Sequence, residues 1–592
     1  MPLSIFAHFG QFLGEELFFC IFEVGMSEER HSKYQKQYYK IITNLLRMKH
    51  FIERFAEATQ SNWHKPAVCD YKGETFYYAD VATHIAKLHI VFERLGVKVG
   101  DKIAISANNT ARWGISYLAI IAYRAVAVPI LNGFTAENLQ KLVDHSDSVA
   151  LFTERKMWAN MSAEQMPQLK GAICIEDFTE LWSKDNILTD VIPNLQQLFR
   201  AKYPQGMKRK FVNYEVGGPD DLNTISYTSG TTSSPKGIML SNNNISSNIT
   251  FGVERIKLPL GSNIVSMLPL AHLYGLAFEF IYPVCSGATV YFLGKMPTPT
   301  LLMQAFKDVR PYMLITVPLV LEKIMRNKVI PTLEKPMLKL ALKIPGLSNI
   351  IYKSVRRKIL ASFGGNMKHI IVGGAAISGP IEVLLKQIKL PYTVGYGMTE
   401  CGPLIGYEDW YDFAIRSCGK PVDGMEVRID SADPQNIVGE IQVCGDNVML
   451  GYYKQPDVTA ATFTDDGYMK TGDLGVIDKY GNIYIKGRSK NMILTANGQN
   501  VYPEEIEELL NAMPHVRESI IISRKNRIVA IVATDNDDSN PLTKSQLETI
   551  MKSNLIMLNQ KLPAYAQVSD IEILVDDFER TPKNSIKRFL YK

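Results

Sequence analysis

No two cysteines in this chain are spaced C-x-x-C. The seven present, Cys20, Cys69, Cys174, Cys285, Cys401, Cys418 and Cys444, are scattered and odd in number. That spacing argues against both a zinc site and a disulfide framework and points to a reducing, cytoplasmic setting. Long apolar runs are missing too: nothing offers the roughly 20 uninterrupted apolar residues of a spanning helix. The nearest approach, MPLSIFAHFGQFLGEELFFCIFEVGM, is broken by Glu15, Glu16 and Glu23, and no Lys or Arg precedes it. It therefore lacks the basic head of a signal peptide. Residues 1–47 read as a weakly amphipathic extension, with a peripheral membrane-surface helix as the alternative. A third reading starts the protein at Met48, where MKHFIERFAEA opens a well-patterned helix. Charge of one sign is also scarce. With 65 basic against 60 acidic residues and no dense basic block, no nucleic-acid partner is expected. There is no fixed-period repeat and no low-complexity tract.

What is present is length and alternation. A chain of 592 residues exceeds one ordinary core, so two or more domains are expected. From Met48 onward strand-like and helix-like runs alternate. FYYADVATHIAKLHIVFERLG is an amphipathic helix closed by Gly96 and followed by the strand KIAISA. WGISYLAIIAYRAVAVPIL reads as a buried helix running into a strand. NIVSMLPL, GATVYFLG, MLITVP and HIIVGGAAIS are apolar runs of buried-strand length, each followed by a helix-like segment. This order predicts parallel sheets covered on both faces. After about Gly419 the texture changes to alternating strands with Gly- and Asp-containing turns, which predicts a small antiparallel unit. The last hundred or so residues have the makeup of an independent α+β domain.

One loop draws attention to chemistry. YTSGTTSSPKGI, Tyr227 to Ile238, concentrates hydroxyls, two glycines and a lysine. It is not a Walker loop, because Lys236 precedes Gly237 and Ile238 follows where a Ser or Thr would be needed. Its residue types still suit an anion: hydroxyl donors, backbone N–H groups freed by glycine, and one cation. Taken alone, such a cluster is more often a polar surface turn.

The string YTSGTTSSPKGI resembles the signature loop of the adenylate-forming superfamily, which contains acyl-CoA synthetases, luciferases and peptide-synthetase adenylation domains. LPLAHLYG, VGGAAIS, GYGMTE, YMKTGDLG and GRSKNMILTANGQNVYPEEIE follow in that family's order. The last of these is most similar to the long-chain fatty acyl-CoA synthetase branch. The resemblance implies an α/β fold. A large adenylation domain, residues 48–489, would hold layered parallel sheets and a small β-subdomain, and residues 490–592 would form a mobile α+β lid. It implies ATP and Mg²⁺ as cofactors and CoA as co-substrate. A fatty acid carboxylate would attack the α-phosphate to give acyl-AMP and pyrophosphate, and a thiol would then displace AMP.

Site roles follow from the resemblance. Thr228, Ser229, Gly230, Thr231, Thr232, Ser233 and Lys236 would hold the β- and γ-phosphates. Thr399 would contact the phosphates and Glu400 would carry Mg²⁺. Gly374, Ala375 and Ala376, with Tyr396 and Gly397, would form the adenine slot. Asp473 would bind the ribose hydroxyls and Arg488 the ribose or phosphate. His272 would border the acyl pocket. Lys490 would be the hinge, and Gly498, Gln499 and Asn500 would face the pantetheine of CoA.

One position departs from the pattern. The family ends with a lysine just before an Ile or Leu, and here Ser585 stands before Ile586. Strand side chains alternate with period two, so Lys587 is expected to serve instead, with Lys583 second. The leading expectation is a long-chain fatty acid–CoA ligase. The alternatives are an enzyme that loads an acyl carrier protein and a degenerate adenylate-binding protein.

Overall fold

The helix Phe51–Ser61 begins where the His50 ring accepts from the Ile52 N–H at 3.0 Å and Glu53 reaches back to the His50 N–H at 3.0 Å. The two side chains satisfy backbone donors that a helix start leaves open. The second amphipathic pattern forms the helix Tyr78–Arg94. The buried-helix pattern forms Ala111–Ala122, which feeds the strand Val126–Pro129, buried at all four positions.

Two large sheets result. One has eight strands, in the order Gly451–Tyr452, Lys236–Ser241, Leu222–Thr228, Val126–Pro129, Lys102–Ser106, Ser148–Thr153, Gly171–Cys174 and Glu180–Ser183. The four pairs from Leu222–Thr228 through Gly171–Cys174 are parallel, and the outer pairs, two at one end and one at the other, are antiparallel. The other has seven, in the order Tyr392–Val394, His369–Val372, Met313–Thr316, Asn263–Ser266, Thr289–Phe292, Pro66–Asp70 and Thr75–Tyr77. All of its pairs are parallel except the last. Strands such as Ser148–Thr153 are buried throughout, as sheets covered on both faces require. Helices Ala111–Ala122 and Asn242–Phe251 contribute to the core that includes Trp113, Tyr117, Ile249 and Phe280.

Beyond Gly419 four antiparallel strands, Met425–Asp430, Gly439–Gly445, Met469–Ile477 and Ile483–Arg488, form the small β-subdomain. The C-terminal part builds its own core, including Ile506, Leu510, Ala530, Met551 and Leu558. It lies between a three-stranded sheet and the helices Pro503–Asn511 and Lys544–Asn559. The fold class is thus α/β with a smaller α+β C-terminal part, and residues 50–592 make up one compact unit. The computed structural model describes residues 49–228, 236–295, 297–495, 499–524, 527–534, 542–574, 576–581 and 586–591. The extension 1–47 lies outside them, as do Ser229, Gly230, Thr231, Thr232, Ser233, Gly498, Lys583 and Ser585. Among the described residues no helix is long and apolar enough to cross a membrane, and all six described cysteines are free.

Candidate active site

The signature loop joins two antiparallel strands, with Thr228 opposite Lys236. The short strand Gly451–Tyr452 adds to the free side of Lys236–Ser241 and sets Tyr452 opposite Ile238. Lys236 Nζ therefore lies 4.8 Å from the Tyr452 ring centroid, within cation–π range. The Tyr452 hydroxyl donates to Glu400 Oε1 at 3.1 Å. Lys236, Tyr452 and Glu400 form a line that joins the end of the signature loop to the GYGMTE segment. Tyr452 was not singled out from sequence; its only signal there was an aromatic pair in LGYYK.

The GYGMTE segment leaves the C-terminal end of the strand Tyr392–Val394 and turns back as Leu404–Tyr407, with Tyr396 opposite Gly406. A Cβ at Gly397 would press on the Pro403 carbonyl oxygen, so only glycine lets the two strands approach this closely. Thr399 and Glu400 open the short 3₁₀ turn Thr399–Cys401. Beside it, the strand His369–Val372 ends in Gly373 and Gly374, the latter at φ +84°. Gly374, Ala375 and Ala376 are exposed there. This edge, outside the carboxyl ends of parallel strands, is where α/β sheets bind ligands.

Asp473 and Arg488 face each other across the strands Met469–Ile477 and Ile483–Arg488. Arg488 Nε pairs with Asp473 Oδ1 at 2.7 Å, and the Tyr396 hydroxyl donates to Asp473 Oδ2 at 2.8 Å. Burial pushes the Asp473 carboxyl up, while Arg488 and the Tyr396 hydroxyl pull it down. Lys490 follows in the turn Ser489–Asn491. Its ammonium is held below the usual lysine range, first by burial and then by Arg488. Arg588 and Lys236 push in the same direction, so Lys490 stands in the field of both the signature loop and the chain's last residues.

The LPLAH turn is pinned from three sides. Asn109 donates to the Leu268 carbonyl at 2.6 Å and accepts from the Leu270 N–H at 2.9 Å. The His272 N–H donates to the Pro269 carbonyl at 2.9 Å, and the His272 carbonyl accepts from the Leu276 N–H at 2.9 Å. Beneath, on the π-helical turn Leu276–Ile281, Glu279 is fully buried. Its Oε2 accepts from the Met267 N–H at 3.0 Å, the Leu268 N–H at 2.9 Å and Ser266 Oγ at 3.1 Å. Among the described residues Oε1 has no hydrogen-bond partner. Burial pushes this carboxyl up to about 8, against the pull of the three donors. Sequence reading passed over Glu279, although an acid inside the apolar run LAFEFIYPV was itself the signal.

The pattern of the AMP-binding enzyme family matches residues 55–453, and that of the AMP-binding enzyme C-terminal domain matches residues 490–591. The chain belongs to the AMP-binding enzyme family. It is 28% identical over 485 residues to the long-chain-fatty-acid–CoA ligase FadD15 of Mycobacterium bovis, covering 77% of this chain and 76% of the relative. It is 25% identical over 579 residues to the chloroplastic long-chain-fatty-acid–[acyl-carrier-protein] ligase AEE15 of Arabidopsis thaliana, covering 83% and 78%. The fold is similar to that of ATP-bound MatB from Rhodopseudomonas palustris, with a TM-score of 0.71 and 24% identity over 91% of this chain and 98% of that one.

Within this AMP-binding enzyme the structure brings Lys236 and Glu400 to one cluster and Tyr396, Asp473, Arg488 and Lys490 to another. Gln499 and Asn500 are exposed on the small hairpin formed by Ile493–Leu494 and Asn500–Val501, where Thr495 Oγ1 accepts from the Gln499 N–H at 3.1 Å. Lys587 ion-pairs with Glu579 at 3.3 Å. Its neighbour Arg588 is half-buried and forks onto the buried Glu507. Glu508, one residue on, accepts from the Gly379 N–H at 2.8 Å and pairs with Arg416. These contacts fasten the helix Pro503–Asn511 to the large domain.

Proposed function

We propose that this AMP-binding enzyme is an acid–thiol ligase that activates a long-chain fatty acid with ATP and transfers the acyl group to CoA. The observation that carries the reading is the pair of clusters at the strand ends. One holds Lys236 and Glu400 at the signature loop, and the other holds Asp473 and Arg488 bridged by Tyr396. The first suits phosphates and the second suits a ribose diol, an arrangement that retains the AMP end of a nucleotide. FadD15, at 28% identity, supports the substrate class.

In the first step a carboxylate oxygen of the fatty acid bonds to the α-phosphorus and the bond to pyrophosphate breaks. A carboxylate is already ionised near neutral pH, so no general base is needed. The signature loop, Thr228 through Lys236, and Thr399 would neutralise charge on the leaving pyrophosphate. Glu400 would hold Mg²⁺. Its Oε1 takes the Tyr452 hydroxyl, and among the described residues Oε2 takes no hydrogen bond, which fits an ion bound through one carboxylate, phosphates and water. When bound, that ion supplies positive charge to the phosphate oxygens. Asp473 accepts from the ribose hydroxyls, and Gly374, Ala375 and Ala376 leave room for the base. In the second step the thiol sulfur bonds to the acyl carbon as the bond to AMP breaks and the thiol proton leaves. Residues 490–592 would rotate about Lys490 between the steps, bringing Lys587, or Lys583, to the carboxylate in one state and Gln499 and Asn500 to the pantetheine in the other.

The kinship with AEE15 favours one second reading, in which the pantetheine belongs to an acyl carrier protein. The experiment is acyl-dependent exchange of labelled pyrophosphate into ATP across fatty acids of several lengths, followed by thioester assay with CoA or carrier protein. Exchange that needs a long-chain acid, with thioester formed on CoA, is expected. Absence of exchange with every carboxylate refutes both readings and leaves a degenerate adenylate-binding protein.

A further inference from the structure

No Asp or Glu stands between Glu334 and Glu382. The early part of this stretch forms the short helix Pro336–Ala341, turns, and continues as the helix Leu347–Ser362. The longer helix packs Ile351, Val355 and Ile359 inward and carries Ile350, Lys353 and Arg357 on its outer side. Along the exposed strip four aliphatic side chains stand in solvent: Met337 is 87% exposed, Leu340 67%, Ile344 51% and Ile350 65%. Six exposed cations are interleaved with them, Lys335, Lys339, Lys343, Lys353, Arg357 and Lys358. Among the described residues none of the six has an acidic partner within salt-bridge range.

We propose that this strip docks the protein on an anionic phospholipid membrane surface. Protein surfaces normally intersperse both signs of charge and avoid grouped apolar side chains. Aliphatic residues interleaved with unpaired cations are instead the composition of segments that lie in a membrane interface. Lysine suits that place, because its stem follows the apolar layer while its ammonium reaches the headgroup phosphates. A protein partner is disfavoured by the same residues, since protein interfaces enrich aromatics and deplete lysine. No aromatic is among the exposed large side chains of this strip. The docking face is built from residues 335–358, and it rests on charge and exposure rather than on the proposed reaction.

The test is sedimentation of the full-length protein with phosphatidylcholine vesicles, with and without phosphatidylglycerol, at low and high salt. Wild type is expected to pellet with the anionic vesicles only, and less so as salt rises. Each cation near an anionic surface is worth about fivefold in partitioning, so K339Q/K343Q/K353Q is expected to bind about a hundredfold more weakly. M337S/L340S is expected to bind more weakly at every salt concentration. Unchanged melting temperatures show that both variants fold. Equal vesicle binding by wild type and the triple variant overturns the proposal, and so does the absence of vesicle binding. Charge-dependent capture of an acidic carrier protein without vesicle binding also overturns it, by making the strip a protein-docking face.

Discussion

Glu279 makes stability depend on pH in a direction opposite to that of most carboxylates. Its carboxyl titrates at about 8 in the fold, against 4.5 for an unperturbed glutamate. Between those values the folded protein holds a proton that the unfolded chain has released. Stability from this group is therefore fully present below 4.5 and is lost as pH rises through about 8. The slope is about 1.4 kcal/mol per pH unit, so the step from pH 6 to pH 8 removes roughly 2–3 kcal/mol. Glu279→Gln keeps the shape and an acceptor for the Met267 and Leu268 N–H groups but cannot ionise. The assay is the difference in apparent melting temperature between wild type and Glu279→Gln, measured from pH 5 to pH 8.5. That difference is expected to move by a few degrees in favour of the variant across the upper half of the range. Parallel curves would refute the assignment of a neutral carboxyl. Glu279→Ala separates charge from positioning. It strands two backbone donors at about 1–3 kcal/mol each, and the turn that carries His272 loses its support. A lower kcat in Glu279→Ala, restored in Glu279→Gln, is expected.

Gly397→Ala drives a methyl group against the Pro403 carbonyl and should weaken ATP binding at least tenfold by calorimetry while the protein still folds. Asp473→Asn leaves Arg488 without its buried partner, and a rise of about tenfold in the KM for ATP, with little change in the KM for the fatty acid, is expected from the loss of a charge-assisted contact. Lys587→Ala should abolish pyrophosphate exchange yet spare thioester formation from supplied acyl-AMP; if Lys583→Ala does so instead, the lysine on the other side of Ser585 performs the task. Arg416→Ala should speed amide exchange in the helix Pro503–Asn511, measured by mass spectrometry, because Glu508 then loses its ion pair and retains the Gly379 N–H.

Much of the fold was legible because it rests on local periodicity. Runs such as VALFT and MLITV are short, almost wholly apolar and bounded by turn residues, which is the composition of a strand buried on both faces. The stop at Gly96 is equally local. The candidate site was legible wherever its residues lie in one short string, as in GYGMTE or GRSK. It was not legible where two strings meet. Tyr452 reaches Glu400 because the strand Gly451–Tyr452 joins a sheet edge formed by residues 236–241. Glu279 matters because the chain folds back to bring its carboxyl under the 267–268 amides. Neither pairing leaves a trace in spacing.

The helix Pro503–Asn511 shows the same division most sharply. In sequence, PEEIEE is an acidic first turn with an apolar face, and the expected helix forms. Its acids, however, go to different destinations. Glu504 takes the Asn491 amide at 2.6 Å and Glu505 pairs with Lys486 at 3.0 Å, both close to Lys490, the proposed hinge. Glu508 joins Gly379 and Arg416 of the large domain, and Glu507 is buried under Arg588 near the end of the chain. Lys486, Arg416 and Glu508 are each partly exposed, and ion pairs of that kind contribute about 0–1 kcal/mol. The Glu507–Arg588 fork, with its carboxylate buried, lies wholly within the C-terminal part and costs more to break. A rotation about Lys490 would therefore exchange only the weak pairs and carry the strong one along intact. Lys587, covalently next to Arg588, would travel with it.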